Sequence, residues 1–279
     1  MDTKNKNLKF PLRGKYVLML APSFVVDFSY PQIIGQVKEL GFDKVVELTF
    51  GAKMVNRKYS QILENSNKLV ISSVCPGIVE IIKEKFPQHK ENLIKVVSPM
   101  VAMAKVCKKF YPKHKVVFLS PCNFKKNEAK KCGIIDYVID YRELKNILEE
   151  KKIIPKNYEF RFDKFYNDFT KIYPLAGGLS KTTRLKGILK KNEIEIIDGI
   201  TEVSNFLKKP KKGIKFLDCN FCIGGCIGGP CINSKESIRK RRKKVLDYFA
   251  VAQREDIPKF RIGLVEKATG ISFRLKSFK

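Results

Sequence analysis

The chain has 279 residues, 44% of them hydrophobic, with 56 Lys and Arg against 28 Asp and Glu and a net charge of +28. That length and apolar content provide core for one large domain or two lobes and exclude a disordered chain. No apolar run approaches the roughly 18 residues of a membrane span. The first run, "YVLMLA", is short and is followed by "PSF" rather than a small-residue cleavage site. The expectation is a cytoplasmic protein, in which structural disulfides are rare.

In chain order, "KYVLMLAP" reads as a strand, "QIIGQVKELG" as an amphipathic helix, and "KVVELT" and "KLVISSV" as two further strands. The helical patterns "VEIIKEKF" and "MVAMAKVCKKFY" follow, then the strands "KVVFLSP" and "DYVIDY" and the helix "RELKNILEEKK". The segment around 155–170, "PKNYEFRFDKFYNDF", is irregular. Beyond it come the strand "EIEIIDG", the helix "TEVSNFLKK", the strand "GIKFLDC" and a late basic helix, "SIRKRRKKVLDYFAVA". Short apolar strands alternating with amphipathic helices predict an α/β fold of mainly parallel sheets flanked by helices. The irregular stretch divides a single domain, 1–279, into a first lobe of about 15–155, a second of about 156–255 and a C-terminal tail, 256–279.

A charge of this size points to nucleic acid, an anionic membrane or an acidic protein partner. The lysines are spread through "KEKFPQHK", "KKFYPKHK", "KKPKKGIK" and "RKRRKK" without forming one patch, and no helix-turn-helix, zinc-finger or RNP motif accompanies them. A solvated lysine-rich surface is the plain account, an acidic redox partner the functional one, and nucleic acid the least supported.

The cysteines carry the chemistry. Four of the eight, Cys219, Cys222, Cys226 and Cys231, fall within "DCNFCIGGCIGGPCI". Two more follow predicted strands: Cys75 in "VCPG" and Cys122 in "SPCNFKKNE". Ligand sites of open α/β sheets lie outside the carboxyl ends of strands, so Cys75 and Cys122 converge with the later cluster. Pro76 places Cys75 at a helix start, where exposed N–H groups favour a thiolate or an anionic cluster. Three chemistries compete on spacing alone. Structural zinc wants paired CxxC knuckles, and Cys219–Cys222 lacks its partner pair. A redox CxxC has no need of Cys75 or Cys122. An iron–sulfur cluster takes four thiolates from several loops, and the adjoining glycines let backbone N–H groups approach it.

"SSVCPG", "LSPCNFKKNEA" and "CIGGCIGG" resemble, in order, the three signatures of the iron-only (FeFe) hydrogenases, TSCCPxW, MPCxxKxxE and MACPxGCxxGGGQ. "LAPSF", "LGFDKVVELTFGA", "SPM", "YRELKNIL" and "PLAGGLSKT" also fall in family order. The resemblance runs from about residue 15 to 255. It implies that Cys75, Cys122, Cys222 and Cys226 ligate a 4Fe–4S cluster. Cys226 would also bridge to a two-iron subcluster carrying CO, cyanide and an azadithiolate, the whole forming the H-cluster. Lys125 would hydrogen-bond a cyanide as a fixed charge, with Glu128 orienting it. Ala21, Pro22, Ser23, Pro99, Gly177 and Gly178 would line the pocket. The implied reaction is reversible 2H⁺ + 2e⁻ to H2, in an anaerobic setting, after maturation proteins install the two-iron unit.

The departures bear on the proton. Val74 stands where the family has a cysteine that donates it, and by a loose alignment Lys58 and Gln61 stand where two glutamates continue the relay. Ser120 replaces the methionine of the second signature, and the tryptophan of the first is absent. Cys107, Cys132, Cys219 and Cys231 form no ferredoxin-type run. The resemblance is thus to a minimal form that takes electrons directly from a partner such as an acidic ferredoxin. Two other functions stay open: a slow H2 sensor of the same fold, and a non-enzymatic iron–sulfur assembly protein of the same superfamily.

Overall fold

The computed structural model describes residues 8–157 and 160–275. Among the described residues seven strands form two wholly parallel sheets. The first takes β1 (Tyr16–Leu20), β2 (Lys44–Glu47), β4 (Lys115–Ser120) and β5 (Tyr137–Asp140) in the order β2-β1-β4-β5. The second takes β3 (Val70–Ile71), β6 (Ile194–Asp198) and β7 (Phe216–Asn220) in the order β3-β7-β6. β1 is buried along its whole length, YVLML, because helices cover both faces of its sheet. The period of two divides its side chains. Val17 and Met19 face a core shared with α2 (Thr49–Glu64) and α4 (Pro99–Phe110); Leu18 and Leu20 face another, with α1 (Gln32–Glu39) and α6 (Tyr141–Glu150).

The first of these cores also takes in Val70 and Phe216 of the second sheet, so α2 and α4 join the two sheets. The other face of that sheet packs Ile71 and Leu217 against α3 (Pro76–Lys85) and α8 (Ile200–Lys208). Because β3 belongs to the second sheet, the division near residue 155 does not coincide with the division between sheets. The C-terminal tail packs on the domain. Phe273 is buried, Leu275 donates its N–H to the Lys95 carbonyl, and Arg274 bridges to Val96. Residues 276–279 of the expected tail and 1–7 of the expected domain lie outside the described residues.

Three helices escaped the periodicity reading, the five-residue α7 (Gly178–Thr182) being too short to show a period. α2 is the longest helix, but its apolar stripe is interrupted and carries Gly51. A Cβ on Gly51 would lie 2.5 Å from the Pro99 carbonyl and 2.9 Å from the Met103 backbone, so glycine is what lets α2 and α4 touch. α5 (Phe124–Cys132) buries only Ala129 and leaves almost no apolar pattern; Gly133, at φ 71°, closes it in the left-handed conformation.

Behind the first sheet a buried ion pair ties three segments together. Lys171 Nζ donates to Glu47 Oε2 at 2.7 Å, with side-chain exposures of 0% and 1%. Tyr248 of α9 (Ile238–Ala252) accepts from Lys171 at 2.6 Å and donates to Glu47 at 2.8 Å. Thr49 also donates to Glu47, at 3.1 Å. The ammonium sits among the rings of Tyr248, Tyr166, Phe162 and Tyr30.

Candidate metal centre

Cys75 caps α3 in an extended conformation, with Pro76 in the first turn, so its side chain leaves the helix N-terminus. Cys122 lies two residues past β4. Its N–H donates to Ser120 Oγ at 3.1 Å, while Ser120 Oγ donates to the Cys122 carbonyl at 2.8 Å. The serine in the methionine position thus locks the turn that aims Cys122. Cys222 and Cys226 flank a glycine pair beyond β7. Gly225, at φ 81°, lets the loop lie against residues 174–176: a Cβ there would sit 2.6 Å from the Pro174 carbonyl. The Cys226 N–H donates to that same carbonyl at 2.7 Å.

These elements enclose a cavity of about 90 Å³. Cys75, Cys122, Cys222, Cys226 and Lys125 all line it, with Ala21, Pro22 and Pro99 from the predicted pocket. Cys226 is the most exposed of the eight cysteines, and the surface it exposes faces this cavity. Ser23, Gly177 and Gly178 do not line it, contrary to expectation. Ser23 is buried and hydrogen-bonds Tyr141 at 2.7 Å. Gly178 packs on the backbone of Ile172 and Tyr173, and Gly177 on Ile196. The residues just before them, Tyr173, Pro174 and Leu175, form the wall instead.

Tyr173 and Asp218 line the cavity but were not singled out from sequence. The signal for Asp218 was present as an acid inside the apolar strand "FLDC". Its carboxylate accepts the Ser180 N–H at 2.9 Å, and burial raises its pKa. The Tyr173 hydroxyl is buried without a hydrogen-bond partner.

Burial, reinforced by neighbouring thiols, raises the pKa of Cys122 and pushes Cys222 up to about 12 and Cys226 further still. Lys125 is held in its charged form against the cost of burial. Glu128 lies 2.7 Å from its Nζ, and the nearby sulfurs of Cys122 and Cys75 add to the effect. Lys125 also donates to the Val74 carbonyl at 3.3 Å. Four thiols in an apolar cavity cannot ionise together without an added positive charge. Among the described residues no three His, Cys, Asp or Glu side chains converge to hold a single metal ion. The thiols surround a space, and that donor set, with the unpartnered Tyr173 hydroxyl in the wall, fits a polynuclear iron–sulfur group. The apolar remainder, with Lys125 as its cation, fits a compact group bearing anionic ligands.

The remaining residues lie elsewhere. Val74 is on the cavity wall. Lys58 and Gln61 hydrogen-bond each other at 3.1 Å on the exposed side of α2. None of the four other cysteines lines the cavity. Cys107 and Cys219 are core residues, Cys231 donates to Asn123 Oδ1 at 3.1 Å, and Cys132 donates to the Ala129 carbonyl at 3.3 Å. All eight cysteines are free thiols. No helix among the described residues is long and apolar enough to cross a membrane.

Residues 14–230 match the family model described as iron only hydrogenase large subunit, C-terminal domain. The chain belongs to this iron-only hydrogenase family. Iron hydrogenase 1 of Clostridium pasteurianum is 27% identical over 77% of this chain and 49% of that protein, so the chain spans about half the length of this curated relative. A variant of [FeFe]-hydrogenase HydA1 from Chlamydomonas reinhardtii superposes with a TM-score of 0.67 at 16% identity, covering 84% of each chain. A structure of HydA(deltaEFG), which reveals stepwise [FeFe]-hydrogenase H-cluster assembly in that protein, gives 0.64 at 18% identity, again with 84% of each chain covered. These structures establish that the α/β fold is that of the family's domain. Within it, the three signature segments supply all four of the cavity's cysteines.

Proposed function

We propose that the chain is an FeFe hydrogenase, catalysing 2H⁺ + 2e⁻ to H2 reversibly at an H-cluster. One observation carries the reading: the four signature cysteines and Lys125, drawn from three separate strand ends, line a single cavity. Cys75, Cys122, Cys222 and Cys226 would hold the 4Fe–4S cluster, and Cys226 would bridge it to a two-iron subcluster with CO, cyanide and azadithiolate ligands. When bound, the group supplies the redox chemistry and the base at which hydrogen is made or split. Lys125 presents a fixed positive charge to an anionic ligand, Glu128 keeps it protonated and oriented, and the apolar wall keeps water out. An acidic ferredoxin or similar carrier would supply electrons, and maturation proteins the two-iron unit, in an anaerobic cytoplasm.

Protons move efficiently only between donors and acceptors within hydrogen-bond reach, directly or through one water. Val74 offers neither, and no spare thiol reaches the cavity. Glu128 touches both sides: it pairs with Lys125 and lines an adjoining pocket of about 300 Å³ with Glu80, Lys83, Lys131 and Cys132. A water-borne route beside Glu128 supports low to moderate turnover. The blocked Val74 position favours a second reading, an H2 sensor with slow turnover. An assembly protein that carries only the 4Fe–4S cluster is the third.

Maturation in a host supplying the two-iron unit, followed by infrared spectroscopy and an H2 assay with a reduced dye, separates the three. CO and cyanide bands with H2 evolution support the enzyme. Bands without evolution or uptake replace it with the sensor, and a 4Fe–4S signal without the bands with the assembly protein.

A further inference from the structure

A second cavity, of about 570 Å³, shares no lining residue with the metal cavity. Its walls come from α2, the segment 166–170 and the end of α7. Three cations line it: Lys53 and Arg57, one turn apart on α2, and Arg184, just past α7. None of the three forms an ion pair among the described residues. Burial and the Arg57 charge hold Lys53 below the usual lysine range; Arg184 adds to the effect, and Glu266 and Asp168 oppose it. Arg184 takes φ 56°, which arginine rarely adopts, and its guanidinium lies 4.9 Å from the centroid of the Phe169 ring.

The same cavity carries acceptors that lack donors. Asn56 is 5% exposed and Asn167 8%; both line the cavity, and the Oδ1 of each is buried without a hydrogen-bond partner. Turning the Asn56 amide over would not relieve this. Its Nδ2 donates to Thr182 Oγ1 at 2.9 Å, and Thr182 gives its own proton to the Gly178 carbonyl at 2.7 Å. Asp168 adds a carboxylate, of which Oδ1 accepts the Phe169 N–H at 2.8 Å. A buried acceptor without a donor is destabilising, and packing alone does not call for two of them beside one cavity.

We infer that this cavity binds a small phosphomonoester bearing hydroxyl groups, a phosphorylated polyol. Three cations less the Asp168 carboxylate leave a net charge close to that which a phosphomonoester neutralises at neutral pH. The guanidinium N–H groups of Arg57 and Arg184 suit phosphate oxygens. The ester's hydroxyls donate to Asn56, Asn167 and Asp168. Inorganic phosphate leaves these acceptors unmet, and a neutral polyol leaves the cations unmet. The inference goes beyond the hydrogenase reading and does not depend on the cluster assignment.

Calorimetry on the full chain tests this with glycerol 3-phosphate as probe and inorganic phosphate, malate and glycerol beside it. Glycerol 3-phosphate should bind with a Kd below about 1 mM, at least about tenfold tighter than phosphate or malate, and glycerol should give no binding heat. Arg57→Ala/Arg184→Ala, which changes two exposed residues, should bind the ester at least about tenfold more weakly. Asp168→Asn should reduce the preference for the ester over inorganic phosphate by at least about threefold. Lys211→Ala, which breaks an exposed pair with Glu195 outside the cavity, should change affinity by less than about twofold. The proposal is overturned if the wild type does not bind the ester at up to about 10 mM, or binds phosphate or malate as tightly. Wild-type affinity in the double variant, an equal loss in Lys211→Ala, or an unchanged preference in Asp168→Asn overturns it as well. The comparison of probes on the wild type decides the ligand class whatever the stability of the variants.

Discussion

Lys171→Met removes the cation from a fully buried ion pair while keeping an unbranched side chain in its place. Glu47 then keeps the hydrogen bonds from Tyr248 at 2.8 Å and Thr49 at 3.1 Å but loses the ammonium at 2.7 Å. The cation's contacts with four aromatic rings, at 4.3 to 5.9 Å from their centroids, go with it. Breaking a buried pair from one side costs about 3–5 kcal/mol, because the remaining charge is left uncompensated. At roughly 2–4 °C per kcal/mol for a chain of this class, the melting temperature should fall by roughly 6–20 °C. Removing both charges is less harmful than removing one. Lys171→Met/Glu47→Gln should recover more than half of the loss, giving a coupling of at least about 2 kcal/mol in a double-mutant cycle. Urea unfolding of the four proteins measures this directly. A single-variant loss below about 1 kcal/mol, or a double variant as unstable as the sum of the singles, would refute the view that charge compensation keeps Glu47 buried. The next residue, Leu48, lines the metal cavity, so the single variant should also release iron at a lower temperature.

Three further outcomes are expected. After anaerobic reconstitution, Cys75→Ser or Cys222→Ser should lose most of the iron, while Cys219→Ser, altered in the core beside Ser72, should keep it; iron loss confined to Cys219→Ser would overturn the ligand assignment. Buried thiols with raised pKa values hold their protons longer when folded, so their stabilisation is complete below about pH 8.5 and is lost as pH rises towards the folded values. Fully buried thiols such as Cys107 and Cys219 each give a slope of about 1.4 kcal/mol per pH unit, and the metal-free protein should lose stability between pH 8 and 10 faster than the loaded one, because loading removes the raised thiols of Cys122, Cys222 and Cys226 from the titration; equal slopes in urea midpoints would count against cluster ligation. Val74→Cys should raise H2 evolution by the matured protein, at unchanged CO and cyanide bands, where the valine is the local block, and an unchanged rate would place the limiting step further out.

All seven strands were legible in the sequence because each is a short apolar run ended by Pro, Gly or a polar turn. The parallel arrangement followed from the alternation with helices. α2 and α5 were not legible: one hides its apolar stripe behind a glycine needed for contact with a neighbouring helix, and the other buries a single alanine. The exchange of β3 between sheets has no local signal at all, since Val70 and Ile71 pair with residues some 146 positions later. The site divides in the same way. Side chains adjacent to signature cysteines could be placed by motif, and Lys125, Pro22 and Pro99 do line the cavity. The glycines of "PLAGG" were read as wall because the segment matches the family, yet the chain turns there so that Tyr173 and Leu175 face the cavity while Gly178 fits against the backbone behind them.

The cavity separates two demands that one group of residues cannot meet together. Holding a polynuclear anionic group asks for thiols on rigid turns, and the fold meets it by placing each cysteine beyond the carboxyl end of a strand, with the later loops pinned by hydrogen bonds from the Cys122 N–H to Ser120 Oγ, from the Cys226 N–H to the Pro174 carbonyl and from Arg241 to the Ile227 carbonyl. Delivering protons asks for polar groups that reach from the cavity to solvent, and here the wall is largely valine, proline, leucine and phenylalanine, with Tyr173, Asp218 and Asn220 among its few polar members. Lys125 lines the cavity with Glu128 behind it, and their partnership is tight: at 2.7 Å, with both side chains largely shielded, the ion pair favours a fixed charge over a group that gives its proton up. On the proposed cluster assignment these residues would retain and orient the group, and the proposed proton route is water beside Glu128.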